Sequence, residues 1–359
     1  MKVEYIIGLL LLISLGIGAV VIFAGESKSD SNSIDLPLSQ KDATKETPFV
    51  EITNPSGFVN TNDAPIKIAD YVGKQVILLD IMTYSCINCQ RTFPYITAWY
   101  EKYKNDGLIV IGIHTPEFAF EKDKKNVEEA MKKFGITFPV VLDNDYGTWN
   151  ALNNRFWPHK YLIDIHGNVV YDHAGEGKYE EIETKIRELL KERADVLGSK
   201  FEEDDATASA KIVETKVSSR SPETYFGAAR NELLGNGSKG QVGEQKFVLP
   251  SKINPNQLYL SGTWNIGKES VEATENSSVT YSYDAKEVYI VAESKSGADI
   301  EVWQDGEKVT NVAGEDVHNG SVKVSTSRLY KLINNPVPGP HTLELRVSPG
   351  VQLFAFTFG

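Results

Sequence analysis

The hydrophobic positions of this chain change rhythm from one segment to the next, and each rhythm predicts an element. Tyr5 to Ala24 is an apolar run without a single charge, 20 residues long. That is the length a helix needs to cross a bilayer, and longer than the apolar stretch of a cleavable signal. A membrane anchor over 1–25 is therefore expected. No cysteine follows the run, which excludes a lipid-modified anchor. Glu26 to Thr47 has neither helical nor strand periodicity and is rich in Ser, Asp, Lys and Thr, as a tether over 26–47 would be.

From Lys74 the pattern becomes an alternation of strands and helices. Lys74 to Met82 is a short Val/Ile/Leu-rich run, suited to a buried central strand. Ile96, Trp99, Tyr100 and Tyr103 fall on one face of a helix that Gly107 ends. Leu108 to Ile113 predicts a strand, and Val127, Ala130, Met131 and Phe134 predict a helix stopped by Gly135. Further strands are expected over Phe138 to Leu142, Lys160 to Ile165 and Val169 to Asp172. Helices are expected over Tyr146 to Asn153 and Tyr179 to Lys191. Such alternation implies a central sheet covered by helices on both faces. After Glu202-Glu203-Asp204-Asp205, expected to belong to a solvated connector, the period falls to two. Ile300, Val302, the turn Asp305-Gly306 and Val309 predict a hairpin; His341 to Val347 alternates, as do Phe354, Phe356 and Phe358. A second domain of short strands, a jelly-roll-like β-sandwich, is expected. The domains fall at 48–194 and 221–359, joined by a linker over 195–220.

Charge narrows the partners. A formal net charge of −12 and an isoelectric point near 5.1, with no basic cluster, exclude a nucleic-acid partner.

The chemistry lies in two cysteines, Cys86 and Cys89, the only two in the chain. A disulfide between them would close too small a loop to stabilise the fold by chain entropy. They stand where a strand ends and a helix begins. Free N–H groups and a partial positive charge at a helix N-terminus favour a thiolate over a thiol. Cys86 is thus the candidate nucleophile, and Cys89, one turn on, the thiol that resolves a mixed disulfide. A copper or zinc site is the competing reading of the pair. It needs further ligands, and His114 and His159 are the candidates.

The run Leu79-Asp80-Ile81-Met82-Thr83-Tyr84-Ser85-Cys86-Ile87-Asn88-Cys89-Gln90-Arg91-Thr92-Phe93-Pro94 resembles the active-site segment of the thioredoxin superfamily. Within it the chain is most similar to TlpA-like, membrane-tethered redoxins and to the periplasmic part of DipZ-type interchange proteins. His114-Thr115-Pro116-Glu117-Phe118, Ser221 to Gly227 and Val351 to Gly359 share the DipZ-type likeness. The resemblance implies a thioredoxin fold followed by a domain like carbohydrate-binding modules. It implies Asp80 as a buried acid assisting proton movement at Cys89, Pro94 as a helix-kinking proline, and a cis Trp157-Pro158 lining the substrate groove.

Ser85 and Ile87-Asn88 stand where thioredoxins carry an aromatic residue and Gly-Pro. The resemblance implies protein thiol or disulfide substrates, no bound cofactor or metal, and an integral-membrane electron donor of the DipZ/CcdA-like kind. The apolar run Tyr5 to Ala24 is expected to place the soluble part outside the cytoplasm. Tyr259, Trp264 and Trp303 are candidates for stacking on a glycan. A peroxide-reducing redoxin, a metallochaperone and a glycan-binding surface protein are the alternatives.

Overall fold

The computed structural model describes residues 47–202, 206–212 and 219–359. The first domain is built on six strands: β1 (Gly57–Val59), β2 (Val76–Met82), β3 (Leu108–His114), β4 (Val140–Leu142), β5 (His159–Ile163) and β6 (Val169–Ala174). Its α-helices are α1 (Ile87–Tyr103), α2 (Lys124–Lys133), α3 (Gly147–Ala151) and α4 (Tyr179–Leu197). The strands lie in the order β1-β4-β3-β2-β5-β6. β2, β3 and β4 run parallel, while β5 runs antiparallel to β2.

β2 is buried along its whole length because it is covered on both faces. Val76, Leu78 and Met82 join the core under α1 and α4; Ile77, Leu79 and Ile81 join the core on the other side. By the period of two, Asp80 belongs to the α1 side. α1 buries Cys89, Phe93, Ile96, Trp99 and Tyr103 against that core. Its end is closed by a 3-10 turn and by Gly107, whose φ of 105° suits glycine. Pro94 lies inside α1 and is exposed. Asp123 caps α2 by accepting from the amide of Lys125 at 2.9 Å.

Two expectations need correction here. α4 runs on past Lys191 to Leu197, because Ala194 continues its apolar stripe before Gly198 turns the chain at φ 63°. The connector that follows is not a solvated strap throughout. Phe201, Ala208 and Ile212 pack on the first domain's core. The amides of Ala208 and Ser209 donate to Glu183 at 2.6 and 2.9 Å, and Trp99 Nε1 donates to Ser209 Oγ at 2.9 Å. The anchor expected over 1–25, and the tether over 26–47 apart from Thr47, lie outside the described residues. Among the described residues no helix is long and apolar enough to cross a membrane.

The second domain is β-rich: β7 (Thr224–Tyr225), β8 (Gly243–Phe247), β9 (Leu258–Ile266), β10 (Val271–Ala273), β11 (Ser277–Glu293), β12 (Ala298–Gln304), β13 (Glu307–Lys308), β14 (Ser321–Val324), β15 (Arg328–Val347) and β16 (Gln352–Phe358). Its strand order is β13-β12-β15-β11-β16-β10-β9-β8, with β14 on β12 and β7 on β16. The predicted hairpin joins β12 to β13, with positive φ at both Asp305 and Gly306.

β11 carries the organisation. It pairs with β9 through Ser278 to Tyr281 and with β16 through Val288 to Glu293. Register shifts against β15 fall between Ala285 and Glu287 and between Val288 and Tyr289. Before them the core residues are odd-numbered: Val279, Tyr281, Tyr283 and Ala285. Beyond the first shift they are even-numbered: Val288, Ile290 and Ala292. The bulge therefore releases Tyr289 and Val291 to the opposite face, where they meet the first domain.

β16 departs from the expected alternation for the same reason. Phe356 and Phe358 enter the core, but a register shift between Val291 and Ala292 turns Phe354 toward the first domain. The resulting seam joins Ile87 and Phe118 to Tyr289, Val291, Leu329 and Phe354 within one compact unit.

Candidate active site

Cys86 is the N-cap of α1, in extended backbone (φ −76°, ψ 121°), and its carbonyl accepts the first helical bond from Gln90 at 3.0 Å. No acidic side chain stands in the first turn to oppose negative charge there. Both cysteines are free thiols, Cys86 half-buried and Cys89 fully buried. Burial, and then the neighbouring Cys86, push the Cys89 thiol well above its ordinary range. The two sulfurs are thus chemically unequal: one reachable at a helix N-terminus, the other a protonated thiol below it.

Beneath Cys89 lies Asp80, with neither carboxylate oxygen hydrogen-bonded. Burial raises its carboxyl to about 6, against the opposing pull of the Lys160 ammonium. Lys160 is the cross-strand neighbour of Asp80 on β5 and is 1% exposed. It donates to the Gly175 carbonyl at 2.9 Å, and burial holds its ammonium below the usual lysine range. The sequence reasoning missed Lys160. The signal was a lysine near the start of a strand, followed by Tyr161, Leu162 and Ile163.

The Trp157-Pro158 bond is cis. Trp157 Nε1 donates to the Thr115 carbonyl at 3.0 Å, and its ring lies 4.2 Å from that of Trp149. The Pro158 carbonyl accepts from Gly175 N at 2.8 Å, so one glycine turn holds both the cis-proline loop and Lys160. Phe156 beside it is 44% exposed. Pro94, exposed on α1, takes no part in this cluster.

The histidines are not brought to the cysteines as ligands. His114 stacks on Tyr84 with ring centroids 5.6 Å apart, and burial lowers it to about 3, so it is neutral. His159 is held by Asn154 at 2.5 Å and Asp172 at 3.1 Å. Among the described residues no three His, Cys, Asp or Glu side chains gather as a metal-holding group. His114 and His159, the candidate further ligands, are thus engaged elsewhere.

A second buried carboxylate flanks Cys86, also missed from the sequence. Glu121 Oε1 accepts from the hydroxyls of Thr83 and Ser85, both at 2.6 Å, and from Ser85 N at 3.3 Å. Its Oε2 accepts from the amides of Glu117 and Phe118 at 2.6 and 2.9 Å. Burial pushes this carboxyl up while the Ser85 and Thr83 hydroxyls pull it down. Glu121 so joins the residue preceding Cys86 to the loop that meets the second domain. Nothing local in the sequence distinguishes it from the charged residues around it.

The second domain touches the site directly. Tyr84 donates its hydroxyl to the Ser327 carbonyl at 3.1 Å, and Ile87 packs into the seam. Arg91 bonds Asn88 and Glu176, each at 3.2 Å, and stands 4.0 Å from Glu287. Glu117 pairs with Arg230 at 2.7 Å and accepts from Tyr225 at 2.9 Å. Of the aromatics considered for glycan stacking, Trp264 and Tyr259 are core residues, 0% and 2% exposed, and Arg346 covers Trp303 at 4.0 Å. For Tyr259 and Trp264 that expectation is corrected: packing already uses those rings.

Residues 43–190 match the redoxin family, and residues 221–359 match a family described as thioredoxin-like C-terminal domain. The thiol-disulfide oxidoreductase ResA of Geobacillus kaustophilus is 32% identical over 123 residues, 34% of this chain and 67% of that protein. The chain belongs to the thioredoxin-like redoxins. A redoxin relative reaching across both domains is DipZ of Mycobacterium tuberculosis, 37% identical over 307 residues, 85% of this chain. The redoxin described here spans 42% of that relative's length. NHL repeat-containing protein 2 of Bos taurus is 35% identical over 126 residues, 35% of this chain and 17% of that protein.

Proposed function

We propose that this redoxin is a thiol–disulfide oxidoreductase acting on protein substrates, with Cys86 as nucleophile, Cys89 as resolving thiol and Asp80 as proton acceptor. The carrying observation is the asymmetry of the pair, a half-exposed thiol at a helix N-terminus over a buried one that has an unpartnered carboxylate beneath it. The name of the ResA relative points the same way. The Cys86 thiolate attacks one sulfur of a substrate disulfide; that S–S bond breaks, and the other sulfur leaves as a thiolate. Cys89 then passes its proton to Asp80 and attacks Cys86 Sγ, releasing the second substrate sulfur. The protein ends as the Cys86–Cys89 disulfide and the substrate as a dithiol, two electrons having moved. The reverse direction uses the same atoms. Asp80, raised to about 6, is ionised at neutral pH and within the range useful for receiving a proton.

The reading extends to placement. The uncharged run Tyr5 to Ala24 supports a membrane-tethered protein working outside the cytoplasm. An integral-membrane electron donor of the DipZ/CcdA-like kind would return it to the dithiol, since an oxidising compartment otherwise traps the disulfide. The double pairing of β11, with β9 and with β16, supports a jelly-roll-like sandwich for the second domain.

The test is disulfide reduction by Cys86→Ala and Cys89→Ala. The first should abolish turnover, and the second should accumulate a mixed disulfide at Cys86 visible by mass. Undiminished turnover in Cys86→Ala would sink the mechanism.

A further inference from the structure

Three residues of the redox segment are held by the second domain, and they bracket the nucleophile. Tyr84, two before Cys86, donates to the Ser327 carbonyl at 3.1 Å. Ile87, one after it, is only 7% exposed and packs among Tyr289, Val291, Leu329 and Phe354. Arg91, five after it, stands 4.0 Å from Glu287 and 5.9 Å from the centre of the Tyr289 ring. These contacts come from β11, from the start of β15 and from β16. An apolar side chain in the first turn of a helix, directly after a half-exposed cysteine, would face water in a lone redoxin domain. Here it is covered.

The cover is built to stay. Phe354 sits edge-on to both Phe118 and Phe120, with centroids 5.1 and 4.9 Å apart. Charged groups border the seam: Arg91 with Glu287, itself paired to Lys331 at 2.6 Å, and Glu117 with Arg230 at 2.7 Å. Glu121 ties the Phe118 loop rigidly to Ser85. With Cys89 buried in the core and Ile87 in the seam, two flanks of Cys86 are occupied. Phe156, next to the cis Trp157-Pro158 bond, is exposed.

We propose that the second domain is a fixed wall of the substrate site, and that Leu329, Phe354, Tyr289 and the Tyr84–Ser327 contact restrict exchange at Cys86 to disulfides on narrow, flexible peptide segments. A disulfide lying flat in a folded protein surface collides with the wall before its sulfur reaches Cys86. Specificity would then come from exclusion as well as attraction. The inference rests on the oxidoreductase reading above and adds the shape of substrate it accepts.

The experiment compares, on the full chain, rates of reduction of a short unstructured peptide with one internal disulfide and of a stably folded protein with a surface disulfide of similar potential. The wild type should favour the peptide by roughly tenfold or more. In a Leu329→Ala/Phe354→Ala double variant that preference should fall toward one, because the folded protein gains rate. Tyr84→Phe, which deletes one hydroxyl and leaves the fold's packing in place, should lower it less and in the same direction. Equal wild-type rates for the two substrates would overturn the inference alone. So would a preference unchanged in both variants. Reaction with neither substrate would remove the oxidoreductase reading, and this inference with it.

Discussion

Two buried carboxylates flank the redox pair, and their surroundings are opposite. Below Cys89, Asp80 is fully buried with both oxygens unpartnered. Beside Cys86, Glu121 is equally buried and accepts from three amides and two hydroxyls. An acceptor so saturated has no lone pair left for a proton in transit, and serves as a brace. An acceptor with nothing bound is costly to keep, and what it retains is the capacity to receive a proton. Unspent hydrogen-bonding capacity, more than burial, separates the carboxylate proposed to take a proton from the structural one.

The contrast can be broken by mutation, the largest effect first. Glu121→Ala strands five buried donors at once and should cost about 3–5 kcal/mol in urea unfolding, the penalty of removing one side of a buried charged network. A cost below about 1 kcal/mol would mean that Glu121 is no brace.

Asp80 should announce itself through pH. Its folded-state value of about 6 lies above the ordinary 3.8, so the folded protein binds the proton more tightly. Stability should therefore fall as pH rises from about 4 to about 6, by on the order of 2 kcal/mol, and level off above that. Asp80→Asn should flatten this window and slow release of the mixed disulfide at neutral pH by roughly a hundredfold, with attack by Cys86 little changed. A pH slope that persists in Asp80→Asn would assign the titration to another group.

Tyr84→Phe is the gentlest probe. Losing its bond to the Ser327 carbonyl should lower stability by about 1 kcal/mol, read as a shift in the urea midpoint.

How much of this could be read in the sequence follows from which interactions are local. The order of strands and helices in the first domain was legible because Ile96, Trp99 and Tyr103 repeat at helical spacing and Lys74 to Met82 is continuously apolar. Cys86 at the start of a helix was legible for the same reason. Lys160 became meaningful only when antiparallel pairing set it opposite Asp80, and Glu121 only when its loop folded back 36 residues onto Ser85. Phe354 was misassigned because strict alternation carries no sign of a register shift. Trp264 and Tyr259 were ambiguous because an aromatic ring suits a sugar and a core equally well. In each of these cases the deciding partner is distant in sequence.

The bulge in β11 has one more consequence, for the lineage of such chains. A strand whose inward positions are odd-numbered before Ala285 and even-numbered after Val288 encodes two reading phases. Flattening the bulge at constant length would merge the phases, turning Tyr289 and Val291 into the domain's own core and Ile290 out toward the redoxin. Deleting one residue between Ala285 and Val288 would instead remove the bulge and the phase change together, leaving Val288 and Ile290 inward. The extra residue and the bulge are therefore expected to be kept or lost together in descendants that keep the two domains joined, even where the residues themselves drift.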